Sequence, residues 1–332
     1  MRGTHTQLSR RQCGLTLVEL MVALVLGSMV VLAAVAALTV ARQGFNAVDA
    51  TAQLRDNGRF AAHILRQTIV QAGFLDVQHA TSHSSALSPA LFKLRDASED
   101  EVEPPVKGFN DAQFAEPLAI GVSNTVSKRG INGSDMLVVR FQPGSVTTAD
   151  GESRGDGAMV HCNGVAADYP PTGAGDRMVN VFHVANSRGE SALMCSMLTR
   201  DGYWDTQPLI HGVETLQFLY GVAGVAPGAA PGAAGGAAPE RYLRADQLVV
   251  KGSDSATNAN WKRVRSIRVG LVLLGPPGSA PQKAVPGQHP LGAPGLMDSA
   301  SDKGSAMAGA TDGRLRQSVS FTIHLRNRLD LM

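Results

Sequence analysis

The sequence predicts an α+β protein: one long N-terminal α-helix, transmembrane and then amphipathic, packed on a C-terminal antiparallel β-sheet head. Three observations carry this. The run from Leu15 to Ala41 holds a single charged residue, Glu19, and no proline. The chain after it keeps apolar residues at roughly helical spacing as far as the breaker Gly73. Beyond Leu75, turn residues separate short runs in which apolar and polar residues alternate, as in strands with one oily face.

Composition limits the partners. With 332 residues there is room for one sizeable domain plus an anchor, or for two modest domains. Arg2, Arg10 and Arg11 precede the apolar run, and the remainder carries 27 basic against 28 acidic side chains. A near-neutral body gives no reason to expect nucleic acid or another acidic polymer as a partner. Three cysteines are too few for a disulfide scaffold.

A helix needs roughly 20 apolar residues to cross about 30 Å of hydrocarbon, and residues 15–41 suffice. A secretory signal has a shorter apolar region and a small-residue cleavage site behind it. Here the run continues into "TVARQGFNAVDATAQLRDNGRFAAHILRQTIVQAGF", where Phe45, Val48, Ala52, Phe60, Ile64 and Val70 recur near helical spacing. The segment is therefore a retained anchor, 15–41, that grows into an amphipathic helix over 42–74. Arg10 and Arg11 place its start in the cytoplasm and the bulk of the chain outside.

Glu19 is the anomaly in this span. A carboxylate at the bilayer centre costs about 2.5–3.5 kcal/mol on insertion scales. One reading leaves it near the headgroups, at the positive end of the helix dipole. The other supposes a cut between Gly14 and Leu15, which gives Leu15 a free amine one helical turn from Glu19. The carboxylate then pairs with the terminal amine of a neighbouring molecule. Apolar helices gain little from hydrophobicity on meeting inside lipid, so such a pair selects the partner and sets its register.

The residues "RRQCGLTLVELMVAL" resemble the class III signal of type IV pilins and pseudopilins: a basic leader, glycine, an apolar residue, then Thr-Leu-x-Glu-Leu. The resemblance implies that prepilin peptidase removes residues 1–14 by cleaving after Gly14, that Leu15 is N-methylated, and that Glu19 orders subunits during assembly. Most members have Phe where this chain has Leu15. The proline that kinks the helix of many major pilins is absent. Cys13 falls in the leader, and "SRRQC" does not fit a lipid-modification signal.

In the head, residues 75–332, "SDMLVVRF", "VETLQFLY" and "VRSIRVGLVLL" read as strands. "SVSFTIHLR" is clearest, with Val319, Phe321, Ile323 and Leu325 alternating against Ser320, Thr322, His324 and Arg326. That period suits a sheet covered on one side, with the amphipathic half of the helix as the cover. Two Gly/Pro-rich insertions interrupt it. Residues 221–240 read as a long floppy hairpin insertion, and residues 275–295 as a second surface loop.

"LRDNGRFAAHILRQTIVQAGF", then "VETLQFLYGV", "WKRVRSIRVGLVLL" and "FTIHLRNRL", are similar in the same order to the PilW-type minor pilins. The resemblance implies a low-abundance subunit that starts pilus assembly and sits near the tip. Its partners would be other minor pilins and the major pilin, met through the N-terminal helix, and a tip adhesin. It implies a single-pass inner-membrane precursor with a periplasmic head, then an extracellular pilus. Two other readings stay open: a J-type minor pseudopilin of type II secretion, and a single-span anchored periplasmic binding or enzymatic domain that never polymerises.

In that compartment disulfides persist, and Cys162 and Cys195 are read as a pair, with two free thiols as the alternative. A bridge closing about 33 residues is worth about 3–4 kcal/mol in the chain-entropy model. A metal site on His161, Cys162 and Cys195 lacks a fourth ligand. Arg154-Gly155-Asp156 is an integrin-recognition triplet, but Gly and Asp are turn formers, and Ser153 to Gly157 reads as a turn. The acids of "DGESRGDG" do not follow the EF-hand spacing. Trp204 and Trp261 read as packing anchors, and His63 as a surface residue of the helix. No catalytic motif or phosphate loop is present, and no enzyme activity or cofactor is expected.

Overall fold

The computed structural model describes residues 14, 16–76, 91–93, 100–115, 128–173, 176–232, 236–293, 295 and 301–327. The expected leader 1–13, with Cys13, and the expected methylation site Leu15 lie outside the described residues. Helix α1 (Leu17–Val70) runs unbroken for 54 residues. It is followed by β1 (Leu91–Lys93), β2 (Asp100–Val102), β3 (Val106–Phe109), β4 (Met136–Phe141), β5 (Ser145–Thr147) and β6 (Ser153–Gly155). Then come β7 (Met178–Ser187), β8 (Glu190–Leu198), β9 (Trp204–His211), β10 (Val213–Val222) and β11 (Arg241–Leu243). A short helix α2 (Asp254–Lys262) precedes β12 (Val264–Leu274) and β13 (Arg316–His324).

The expected α+β class is the observed one. One sheet has the order β11-β10-β12-β13, the other β3-β4-β7-β8-β9, and β1–β2 and β5–β6 form separate hairpins. Every strand pair is antiparallel. In the four-stranded sheet, Ile267, Val269 and Leu271 stand opposite Ile323, Phe321 and Val319, so the alternating residues share one face. That face meets Leu54, Ala61, Leu65 and Ile69 of α1, and Leu137, Phe182 and Leu193 of the five-stranded sheet close the same core. The far side of the five-stranded sheet packs Met136, Val138 and Val181 against Phe109 and Ala112.

The buried stripe of α1 is not the one its large residues suggest. Phe45, Val48 and Phe60 are 77%, 71% and 52% exposed, whereas Ala50, Leu54, Gly58, Ala61, Leu65 and Ile69 are buried. Leu54, Leu65 and Ile69 alternate in this stripe with small residues, which let the helix lie close to the sheet. A Cβ at Gly58 would stand 3.0 Å from Val319 and 3.3 Å from Leu273. Just past the end of α1, Gly73 (φ +74°) turns the chain in the left-handed region and donates its N–H to the Arg140 carbonyl at 2.9 Å.

The sheet is covered on both faces, not one. The segment after β12 lies across its outer side: Arg268 Nε donates to the Leu291 carbonyl at 3.0 Å, Ser318 Oγ to Gln288 at 2.8 Å, and Leu291 is buried. The 275–295 stretch is thus a cover as well as a loop. The part of the expected floppy insertion before residue 230 is also held to the head. Gly221 and Val222 complete β10, and Val225 enters the core. Asn260 Nδ2 on α2 donates to the Ala229 carbonyl at 2.8 Å, and Gly228 N–H to the Gln247 carbonyl at 2.7 Å. Fixed donors and acceptors order a backbone that has little apolar surface of its own.

Candidate functional site

The chemistry singled out by the sequence sits at the start of α1. Thr16 is its N-cap, with extended backbone (φ −76°, ψ 150°) and Oγ1 accepting the Glu19 N–H at 3.3 Å. A hydroxyl with an acid three residues on is a helix-start signature, and it sets Glu19 in the first turn, at the positive end of the dipole. The sequence reading missed the role of Thr16, which the Thr-x-x-Glu spacing signals. Glu19 is exposed, and among the described residues its carboxylate has no partner. Gly14 is exposed too, and nothing stands within 4 Å of where its Cβ would be.

From this start α1 presents apolar side chains to its surroundings. Its most apolar 18-residue window has a mean hydropathy of 2.7 and no buried residue. Leu17 is 75% exposed, and the large side chains along the free half are all more than half exposed. A surface of this kind marks a membrane or protein partner. The hydroxyls within it are satisfied locally, Ser28 donating to the Val25 carbonyl and Thr39 to that of Ala36, each at 2.8 Å, as lipid requires. Ala50 is the first residue that the head buries. The free helix before it is about 50 Å long at 1.5 Å per residue, more than the roughly 30 Å of hydrocarbon, so it projects beyond a membrane.

The other sequence candidates are dispersed through the head. Cys162, on the loop after β6, is disulfide-bonded to Cys195 on β8 with a Cα–Cα distance of 5.9 Å, and both are buried. His161 Nδ1–H donates to Asn180 Oδ1 at 2.9 Å, and burial holds the imidazole pKa down. Among the described residues no group of three metal-ligating side chains comes together. Ser153–Gly155 is strand β6 and not a turn: Arg154 pairs with Glu152 at 3.0 Å, and the Asp156 carboxylate accepts the Ala158 N–H at 2.8 Å. Trp261 is fully buried edge-on to Tyr220, with centroids 4.8 Å apart, while Trp204 packs against Phe114. His63 is exposed on α1.

A buried charge cluster escaped the sequence reading. Arg140 Nε lies 2.5 Å from Glu103 Oε2, both side chains 2% exposed, and Arg177 donates to the Glu103 carbonyl at 2.7 Å. Burial pushes the Glu103 pKa up against the pull of Arg140. Burial, with Arg140 beside it, brings the Lys107 amine down to about 7. Nothing in the alternation of "MLVVRF" separates a buried arginine from one that faces water.

Comparison with known proteins places matches on both halves of the chain. The family model of the type IV pilus-assembly protein W matches residues 181–327. The prokaryotic N-terminal methylation motif matches residues 9–35, which include Gly14, Leu15 and Glu19. No curated protein matches the chain. Among solved structures, the type IV-like pilin TTHA1219 from Thermus thermophilus is similar over 82% of this chain and 97% of its own, at 13% identity and a TM-score of 0.37.

Proposed function

We propose that this chain, a PilW-type member of the type IV pilin-like proteins, is a minor subunit that helps to start a type IV pilus and stays near its tip. Prepilin peptidase cuts after Gly14 and leaves Leu15 as the methylated N-terminus. The free half of α1 holds the precursor in the inner membrane with its head in the periplasm. It then passes into the filament beside the helices of other pilins. The role is structural, without catalysis. The match over 181–327 favours a pilus over a type II secretion system.

The observation that carries this is the exposed carboxylate of Glu19 at the cap of an uncovered apolar helix. A side chain of that kind is costly in lipid unless a positive group meets it, and the terminal amine of a neighbour is one. The test is Glu19→Ala at native expression. The variant is expected in the membrane fraction at wild-type amount and lost from sheared pili. Recovery in pili at the wild-type level would contradict the proposal.

A further inference from the structure

We infer that the free edge of β13, with a row of arginines beside it on α1, docks an extended acidic segment of a partner protein, which joins the four-stranded sheet as a fifth strand. The inference stands apart from the pilin reading, since it needs only the head and the covered half of α1. β13 is the last strand of its sheet and pairs with β12 over nine residues without a register shift. Leu325 N–H donates to the Arg265 carbonyl at 2.9 Å, and Gly275 N–H to the Leu315 carbonyl at 2.8 Å. Bonded and non-bonded positions alternate in an antiparallel ladder, so the odd-numbered residues of β13 bond to β12. The N–H and C=O groups of Ser318, Ser320 and Thr322 therefore point away from the sheet, and among the described residues no other backbone meets them. Proteins usually blunt such an edge. The other outer strands of the two sheets follow that rule: β3 and β11 have four and three residues, and β9 carries Pro208 and a register shift against β8. β13 has neither a proline nor a bulge.

The occupant follows from the charge beside the edge. Arg66 lies over the Phe321 ring, 6.0 Å from its centroid, so this side of α1 borders β13. At about 100° per residue, Arg55 and Arg59 fall within about 20° of Arg66 around the helix. All three are exposed, and among the described residues none of them has an ion pair. Asp49 and Asp56 lie about 100° and 80° from Arg66 around the helix, turned away from β13. At 1.5 Å per residue Arg55 and Arg66 are about 16 Å apart along the axis, the rise of about five strand residues. A strand added to β13 turns every second side chain towards α1. Carboxylates at those alternate positions meet the arginines, while main-chain bonds to Ser318, Ser320 and Thr322 set the register. β13 of a second copy is no substitute, because from Arg316 to Arg326 it holds no acid.

The test is fluorescence anisotropy with the full chain purified in detergent and a short labelled peptide in which threonine and glutamate alternate. A peptide of the same composition, with its glutamates in one block, is the control. The alternating peptide is expected to bind, and the block peptide to bind about tenfold more weakly. Ser320→Pro removes an N–H that faces away from β12, so the sheet keeps its own bonds while the edge loses a donor. Binding should fall about tenfold. Thr322→Pro repeats this test should Ser320→Pro fail to fold. Arg55→Glu/Arg59→Glu, on the exposed side of α1, should also weaken binding about tenfold. Equal binding of the two peptides, or parent-level binding by a folded proline variant, leaves only a basic face and overturns the added strand. Unchanged binding by Arg55→Glu/Arg59→Glu overturns the acidic occupant. Failure of the parent chain to bind the alternating peptide overturns both and leaves the pilin reading standing.

Discussion

Gly58 of α1 faces Val319 of β13 so closely that a Cβ on residue 58 would lie 3.0 Å from Val319 Cγ2. This contact explains why the Asn57-Gly58-Arg59-Phe60 segment carries glycine inside a helix, where it costs about 1 kcal/mol relative to alanine. A branched side chain there must push β13 away. Gly58→Leu is expected to destabilise the chain by about 1–3 kcal/mol, as overpacking does. Denaturant unfolding of the full chain in detergent measures it, and an unchanged midpoint would remove the close-approach argument.

The bond between Cys162 and Cys195 joins the loop after β6 to the middle of β8. Cys162→Ala/Cys195→Ala is expected to lower stability by about 2–5 kcal/mol. Reducing agent should shift the wild-type unfolding midpoint in the same direction and leave the double variant where it is. Labelling of the unreduced, denatured chain by a maleimide at either position would show free thiols instead.

Glu103 is the carboxylate against which Arg140 is buried, with Arg177 and Lys107 close by. Removing that negative charge strands cations in the interior, which costs about 3–5 kcal/mol, while replacing both partners with apolar groups costs far less. Glu103→Leu should therefore be more destabilising than Glu103→Leu/Arg140→Met. The reverse order in a denaturation series would show that the pair is not what holds β4 to the segment before β3.

The chain should lose part of its stability between acid and neutral pH through Asp302. Asn110 Nδ2 donates to Asp135 Oδ1 at 3.3 Å and to Asp302 Oδ1 at 3.4 Å, and its orientation is fixed by Oδ1 accepting the Asp246 N–H at 2.9 Å. Burial raises the Asp302 pKa to about 6, with Arg244 pulling it down and Asp246 pushing it up; burial and Asp302 raise that of Asp135. A carboxyl that binds its proton more tightly when folded contributes stability below its unfolded pKa near 4. That stability is lost as pH rises through about 6. His183, lowered to about 4 by burial, works in the opposite sense, so the readout is a difference. Asp302→Asn should gain on the wild type as pH goes from 4 to 7; a constant difference across that window would contradict this.

Legibility in the sequence followed simple local chemistry. Gly14, Leu15 and Glu19 stood out because a motif concentrates them in few residues. The strand β13 stood out because its apolar and polar residues alternate, and β10 and β12, buried almost throughout, stood out as apolar runs. The five-stranded sheet was harder: β4 was legible as an apolar run, but β7 and β8, most of whose residues are buried on both faces, do not alternate. The helix misled in another way. Phe45, Val48 and Phe60 face outward, and Ala50, Gly58 and Ala61, which carry little hydrophobic signal, share the contact with the head with Leu54, Leu65 and Ile69. Within residues 221–240, Ala229 is bonded to Asn260, some thirty residues away, and composition holds no trace of that bond. The capping hydroxyl of Thr16 was within reach of the sequence and was overlooked.

The account depends on removal of the leader, because only then does Leu15 carry the amine that Glu19 is held to meet. Intact-mass measurement of the protein purified from pili addresses this directly. The expected mass is that of residues 15–332, less two hydrogens for the disulfide and plus one methyl group on the Leu15 amine. A chain recovered from pili with Met1–Gly14 still attached would contradict it.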